Sequence, residues 1–222
     1  MADYSATRDR VETYFDRTAT GVWARLTTDQ PVSRVRETVR AGRDAMRATM
    51  LGRLPDDLRG ARILDAGCGT GLMTAELASR GADVVAVDIA PQLIDIAAAR
   101  LPATLTPRVT FRAGDMTDAA LGRFDFVMAM DSLIYYRTPD IAAVLEGFGK
   151  RTRGGVIFTV APRTTFLMAF FAAGKLFPRK DRSPTMVPQA LTALQKATGG
   201  RVQKIARVSR GFYISECLEF RP

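Results

Sequence analysis

From residue 60 onward, short apolar runs alternate with longer mixed stretches. Ile63–Asp65, Val84–Asp88, Val109–Arg112, Phe124–Met130 and Gly155–Val160 read as five strands. Residues 72–79, 91–100, about 117–121 and 139–151 read as the helices that follow the first four. This alternation predicts an α/β domain with a parallel sheet and right-handed crossovers. Val202–Ser209 and Phe212–Phe220, joined at Arg210-Gly211, read as a terminal hairpin. In an open parallel sheet ligands bind beyond the carboxyl ends of the strands. Asp65, Asp88, Asp115 and Asp131 all fall there.

The flanking segments carry helical periodicity instead. Ala6–Arg17 places Val11, Tyr14 and Phe15 on one side, and Trp23 follows a turn at Gly21. A second helix starts at Gln30-Pro31 and carries Val32, Val35, Val39, Met46 and Met50 mostly at three- and four-residue steps. Its other face holds Arg34, Arg36, Arg40, Arg43 and Arg47. That face is either solvated charge or part of a cap that aims arginines, with Arg40 and Arg43 as candidates, at a carboxylated substrate. Residues 1–60 are thus expected to form an N-terminal helical cap, and 61–222 the core. Within the core, 163–185 is expected to be an inserted segment that concentrates Phe166, Leu167, Met168, Phe170 and Phe171 ahead of Arg179, Lys180 and Arg182. It reads either as ordinary core or as a lid helix that covers a large, flat, apolar acceptor or rests on a membrane surface. Arg163, Phe166 and Phe170 are its candidate substrate contacts. Val187–Thr198 reads as a further helix.

Composition narrows the chemistry. A chain of 222 residues that is 47% hydrophobic supports one α/β domain with additions. Two cysteines, Cys68 and Cys217, form neither a disulfide framework nor a metal cluster, so no metal ligands are expected. No secretory segment or long apolar span is evident, so a cytoplasmic location is expected. The net charge of +9 suits nucleic acid, anionic lipid or an acidic small molecule equally. Histidine is absent, which removes the usual general base and the commonest metal ligand.

The most informative stretch is RILDAGCGTG, residues 62–71. An apolar strand ends in Asp65, and Gly67, Gly69 and Gly71 follow at alternate positions before a helix. A dinucleotide GxGxxG does not fit, because Leu72 and Thr74 stand where its third glycine would be. The second strand ends at Asp88, followed by Ile89, 21 residues beyond Gly67, a spacing that suits the two hydroxyls of a ribose. D-x-G-x-G-x-G with this second acid resembles motif I of the class I S-adenosylmethionine (SAM) methyltransferases. The resemblance implies a Rossmann-like fold with a mostly parallel seven-stranded sheet and SAM as co-substrate. It also implies that Asp115 and Met116, in the turn after the third strand, meet the adenine amine and ring. Asp131, Tyr135 and Tyr136 follow the fourth strand, where such enzymes bring donor and acceptor together. The motifs of nucleic-acid methyltransferases, [N/D]-P-P-[Y/F] and a Pro-Cys nucleophile, are missing, so no nucleic-acid partner is expected.

A carboxylate acceptor is already an anion near neutral pH and needs no base. A chain without histidine and rich in arginine, which can hold a carboxylate bidentately, fits such an acceptor. Taken whole, the chain resembles the magnesium-protoporphyrin IX O-methyltransferases of bacteriochlorophyll synthesis. The residues concerned are YFDRTATGVW at 14–23, RETVRAGRDAMRATML at 36–51, the glycine motif, MAMDSLIYY at 128–136 and AGKLFPRKDRSP at 173–184. The resemblance implies esterification of one propionate of the porphyrin to the monomethyl ester, with magnesium belonging to the substrate. It leaves open handover by the porphyrin-binding subunit of magnesium chelatase and peripheral contact with the photosynthetic membrane. Two alternatives stay open: a SAM-dependent methyltransferase of another small acceptor, a quinone or other carboxylic acid, and a non-catalytic SAM-binding partner protein. Where the family pattern often carries Tyr, His and Gly-His, this chain has Thr27, Tyr135 and Gly42-Arg43, so those roles do not carry over. Tyr135 and Tyr136 are the candidate catalytic residues, as groups that orient the acceptor, and Tyr14 and Trp23 are candidates for stacking on the macrocycle.

Overall fold

The computed structural model describes residues 2–15, 34–164 and 184–222. Its centre is a seven-stranded sheet of order β3-β2-β1-β4-β5-β7-β6. The strands are β1 (Arg62–Ala66), β2 (Asp83–Asp88), β3 (Val109–Ala113), β4 (Phe124–Ala129), β5 (Thr152–Val160), β6 (Val202–Arg210) and β7 (Tyr213–Phe220). The first five pair in parallel, and β7 runs antiparallel between β5 and β6. The expected Rossmann-like, mostly parallel sheet of seven strands is therefore present. Reversal of the order between β1 and β4 opens a crevice at their carboxyl ends, the usual ligand position in such sheets.

Helices cover both faces, so the inner strands are apolar along their whole length. Described helices are α1 (Ala2–Tyr14), α2 (Arg34–Leu51), α3 (Leu72–Ser79), α4 (Pro91–Arg100), α5 (Thr138–Gly149) and α6 (Leu191–Ala197). One apolar cluster joins Leu64, Val87, Val127 and Phe158 to Ile141, Leu145 and Phe148 of α5. On the other face Met46 and Met50 of α2 join Ile63, Leu77, Met128 and Cys217. Each fully buried methionine contributes roughly 1.5–3 kcal/mol by leaving water. Only the C-terminal half of the stripe read from the sequence, Met46 and Met50, seats α2 on the sheet; Val35 is exposed, Val32 lies outside the described residues, and of the five arginines Arg43 and Arg47 turn toward the cavity. Gly42 is what lets α2 lie so close. A Cβ there would fall 2.7 Å from the Tyr213 ring of β7.

Three sequence expectations need correction. Residues 117–121 form no α-helix: Asp118 caps a single 3-10 turn, Ala119–Leu121, by accepting from the Ala120 amide. A further 3-10 segment, Ala103–Arg108, precedes β3. The helix expected over Val187–Thr198 begins only at Leu191. Pro188 disfavours helical geometry in the residue before it. Residues 187–189 instead lie extended along the exit of β5, where the Gln189 amide donates to Ala161 and the Arg163 amide to Gln189. The first helix starts earlier than predicted, at Ala2, so that Tyr4 belongs to it along with Arg8.

Candidate functional site

The cavity at the carboxyl end of the sheet holds about 1040 Å3, including its open mouth. Its floor is the turn between β1 and α3. Gly67 takes φ 82, and a Cβ on it would fall 2.4 Å from that of Ser132, so only glycine fits. The Gly67 and Cys68 amides donate to the Val87 carbonyl, which holds the turn against β2. Asp88 completes the joint. Its Oδ2 accepts from the Gly69 amide at 2.8 Å and its Oδ1 from the Ala90 amide at 3.0 Å. A Cβ on Gly69 would meet nothing within 4 Å, so this face of the turn opens into the cavity.

Asp65 lies beneath the turn, 1% exposed, and its Oδ2 accepts from the Thr74 hydroxyl at 2.6 Å. Burial pushes its carboxyl up to about 7, against the opposing effect of the Thr74 bond. Burial raises Asp88 as well. Two acids held out of water beside a glycine turn favour a cationic ligand.

The adenine end proposed from sequence is crowded. Asp115 Oδ1 accepts from the Tyr4 hydroxyl at 2.9 Å and from the Thr117 amide and hydroxyl, while Oδ2 accepts from Arg8 at 3.1 Å. These donors and the neighbouring cation hold its carboxyl below the ordinary range despite burial. Tyr4 also stacks on Tyr136, centroids 4.9 Å apart. Helix α1 is therefore docked over the cavity, an arrangement that no local sequence pattern announces.

At the opposite wall, β4 runs into Asp131, which sits at φ 55, a left-handed conformation uncommon outside glycine. Its amide donates to Thr159 at 2.7 Å, and its Oδ1 accepts from the hydroxyls of Thr159 and Tyr213 at 3.1 and 3.2 Å. Its Oδ2 faces Arg43 at 3.6 Å. Tyr135 lies beside this group, and burial together with the Asp131 charge raises its hydroxyl above the ordinary range. Tyr135 thus stays protonated at neutral pH. Tyr136 is raised for the same principal reason, burial, with Asp115 as the neighbouring charge. Ser132 Oγ is buried with no hydrogen-bond partner among the described residues.

Of the residues singled out in the sequence, Asp65, Gly67, Gly69, Asp88, Ile89, Asp115, Met116, Asp131, Tyr135, Tyr136 and Arg43 all line this cavity. Gly71 does not; its missing Cβ would face Ala97 of α4 at 3.0 Å. Arg40 and Tyr14 stand outside the lining, although Tyr14 packs edge-on against Phe15, which belongs to it. Arg163 is exposed and joins the structure through its backbone. Trp23, Phe166 and Phe170, with nearly all of the expected lid, lie outside the described residues. Sequence reasoning missed Tyr4, Arg8 and Ser132. Only the helical register of α1 and the position of Ser132 just past β4 could have pointed to them.

Comparison with known proteins agrees with this geometry. A family model described as "Magnesium-protoporphyrin IX methyltransferase C-terminus" matches residues 129–222, and one described as "Methyltransferase domain" matches 63–155. The chain is 67% identical to a magnesium-protoporphyrin O-methyltransferase of Rhodobacter capsulatus, covering 100% of this chain and 99% of that one. It is 29% identical to the enzyme of the same description from Synechocystis, covering 94% of each. Among solved structures, magnesium protoporphyrin IX methyltransferase from Synechocystis with bound SAH (S-adenosylhomocysteine) superposes with a TM-score of 0.81 at 27% identity. That superposition covers 96% of this chain and 99% of the other.

Proposed function

Given that the chain belongs to the magnesium-protoporphyrin O-methyltransferase family, we propose that both reactants meet in the cavity described above, with a propionate carboxylate of the porphyrin held at the Arg43 wall. The protein is a SAM-dependent methyltransferase that acts on magnesium protoporphyrin IX. Several features suit the SAM molecule. The turn is open at Gly69, the neighbouring acids favour a cation, and Ser132 offers an unmatched hydroxyl. On this reading Gly67, Gly69 and Asp131 border the amino-acid end, Asp88 and Ile89 the ribose, and Asp115 and Met116 the adenine. When bound, SAM supplies a methyl group already activated on a sulfonium.

The chain's residues are then left with alignment and exclusion of water. The carboxylate needs no base, in keeping with a wall whose tyrosines remain protonated. Arg43 and Arg47, both mostly buried, provide positive charge at this wall. On this reading the hydroxyl of Tyr135, which lines the cavity, donates to the acceptor carboxylate and fixes its angle. The magnesium arrives as part of the substrate. Among the described residues no group of acids or cysteines is arranged to hold a metal.

The observation that carries this reading is the juxtaposition, across one cavity, of acids around the glycine turn and arginines on α2. It is tested by methyl transfer from labelled SAM to magnesium protoporphyrin IX, with metal-free protoporphyrin alongside. The expected product is the monomethyl ester, formed faster from the magnesium porphyrin. Label in any group other than a propionate ester would overturn the assignment of the acceptor atom. Two looser associations belong to the same proposal. Handover from the chelatase subunit predicts faster turnover with that subunit present than with free porphyrin. Peripheral membrane contact predicts co-sedimentation with anionic vesicles. No described helix is long and apolar enough to cross a membrane.

A further inference from the structure

Tyr213 stands outside the cavity lining, yet it touches both elements that build the acceptor wall. Its ring occupies the space a side chain at residue 42 would need, with ring atoms at 2.7–2.9 Å from the position of a Cβ on Gly42. Gly42 is the residue before Arg43, so the ring sets how deeply α2 lies at the point where Arg43 leaves it. Its hydroxyl donates to Asp131 Oδ1 at 3.2 Å, beside the Thr159 hydroxyl at 3.1 Å. Asp131 Oδ2 faces Arg43 at 3.6 Å, an ion pair too long for a strong hydrogen bond.

We propose that Tyr213 is a positioning residue for the acceptor carboxylate, acting through Asp131 on Arg43. The two hydroxyls share the negative charge of Asp131 and hold its carboxylate turned toward β5 and β7. Arg43 is then kept near the carboxylate without being drawn fully onto it. A guanidinium has five donors in a planar fork, so it can face Asp131 with one edge and a propionate with another. Removing the Tyr213 hydroxyl leaves Asp131 with less of its charge satisfied. Arg43 moves closer to it, and the propionate loses part of its partner. The loss falls on acceptor binding, because the bound carboxylate requires Arg43 in the ground state and the transition state alike. Of the donor, only the amino-acid end borders Asp131; the ribose and adenine ends, at Asp88 and Asp115, lie away from this wall.

This inference rests on the assignment of Arg43 to the propionate, and the test separates the two. Tyr213→Phe, Arg43→Gln and the double variant are compared with wild type for porphyrin KM, kcat, SAM affinity and melting midpoint. Phenylalanine keeps the ring on Gly42, so the variant folds. Tyr213→Phe is expected to raise porphyrin KM about three- to tenfold, as befits one hydrogen bond to a charged group, with kcat unchanged and SAM affinity altered less than porphyrin KM. In the Arg43→Gln background the same change is expected to do nothing more. A normal porphyrin KM in Arg43→Gln overturns the assignment of Arg43, and the inference with it. A raised KM in Arg43→Gln beside a wild-type Tyr213→Phe overturns the positioning role alone. So does a Tyr213→Phe effect that persists in full without Arg43.

Discussion

The Gly69 amide donates to the Asp88 carboxylate at 2.8 Å, which ties the glycine turn to the end of β2. The other carboxylate oxygen holds the Ala90 amide, where α4 begins. Asp88 is therefore a structural bracket as well as the acid proposed to meet a ribose. Replacing it with alanine leaves the buried Ala90 amide and the part-buried Gly69 amide without their acceptor, at roughly 1–3 kcal/mol for the buried one. Asp88→Ala is expected to weaken SAM binding at least tenfold and to lower the melting midpoint. Calorimetry with SAM and a thermal melt check both. Weaker binding at an unchanged melting midpoint would confine Asp88 to the ligand.

Asp65 makes stability depend on pH in an unusual direction. Its carboxyl is pushed from an ordinary 3.8 to about 7 in the folded chain. Between those values the folded chain holds a proton that the unfolded chain has released. The stability linked to Asp65 is therefore present below about pH 4 and lost as pH rises toward about 7. Asp65→Asn keeps an acceptor for the Thr74 hydroxyl and cannot titrate. The difference in melting midpoint, wild type minus Asp65→Asn, should fall across that window and level off above it. Parallel curves would mean that Asp65 ionises normally.

Gly42→Ala tests how closely α2 lies on the sheet. The added methyl would meet the Tyr213 ring at 2.7 Å, and the ring is backed by the core. Overpacking of this kind costs about 1–3 kcal/mol. A lower melting midpoint is expected, together with a raised porphyrin KM as Arg43 is lifted from its place. A variant as stable as wild type would show that the ring has room to turn aside.

Tyr4→Phe separates the two attachments of α1. The stack on Tyr136 survives, and the bond to Asp115 at 2.9 Å is lost. A partly buried bond of this type is worth roughly 0.5–1.5 kcal/mol. Amide hydrogen exchange over residues 4–14 should quicken accordingly, while exchange in β1 and β4 should not change. Equal exchange in α1 would mean that Arg8 and the ring stack suffice to dock it.

The sheet and the floor of the site are legible in the sequence. Apolar runs at Ile63–Asp65, Val84–Asp88 and Phe124–Ala129 are buried on both faces, and a buried strand can be read locally. The turn at Gly67 was legible for the same reason: its positive φ leaves a mark in the residues themselves. Periodicity also gave the face of α2 that carries Met46 and Met50. Where an outcome hung on a partner far along the chain, local pattern was silent. Pro188 was a local sign against helix at Val187, but the extended path of residues 187 and 189 is set by hydrogen bonds to Ile134 and Ala161. Tyr4 and Arg8 look like surface residues of an N-terminal helix until Asp115, more than a hundred positions away, supplies their acceptor. Arg43 is one of five arginines on a helix face, and local pattern does not tell that it faces Asp131, beside a Gly42 packed on Tyr213. Backbone conformation and burial are written into neighbouring residues. The pairing of charges across a cavity is fixed only when distant strands and helices close around it.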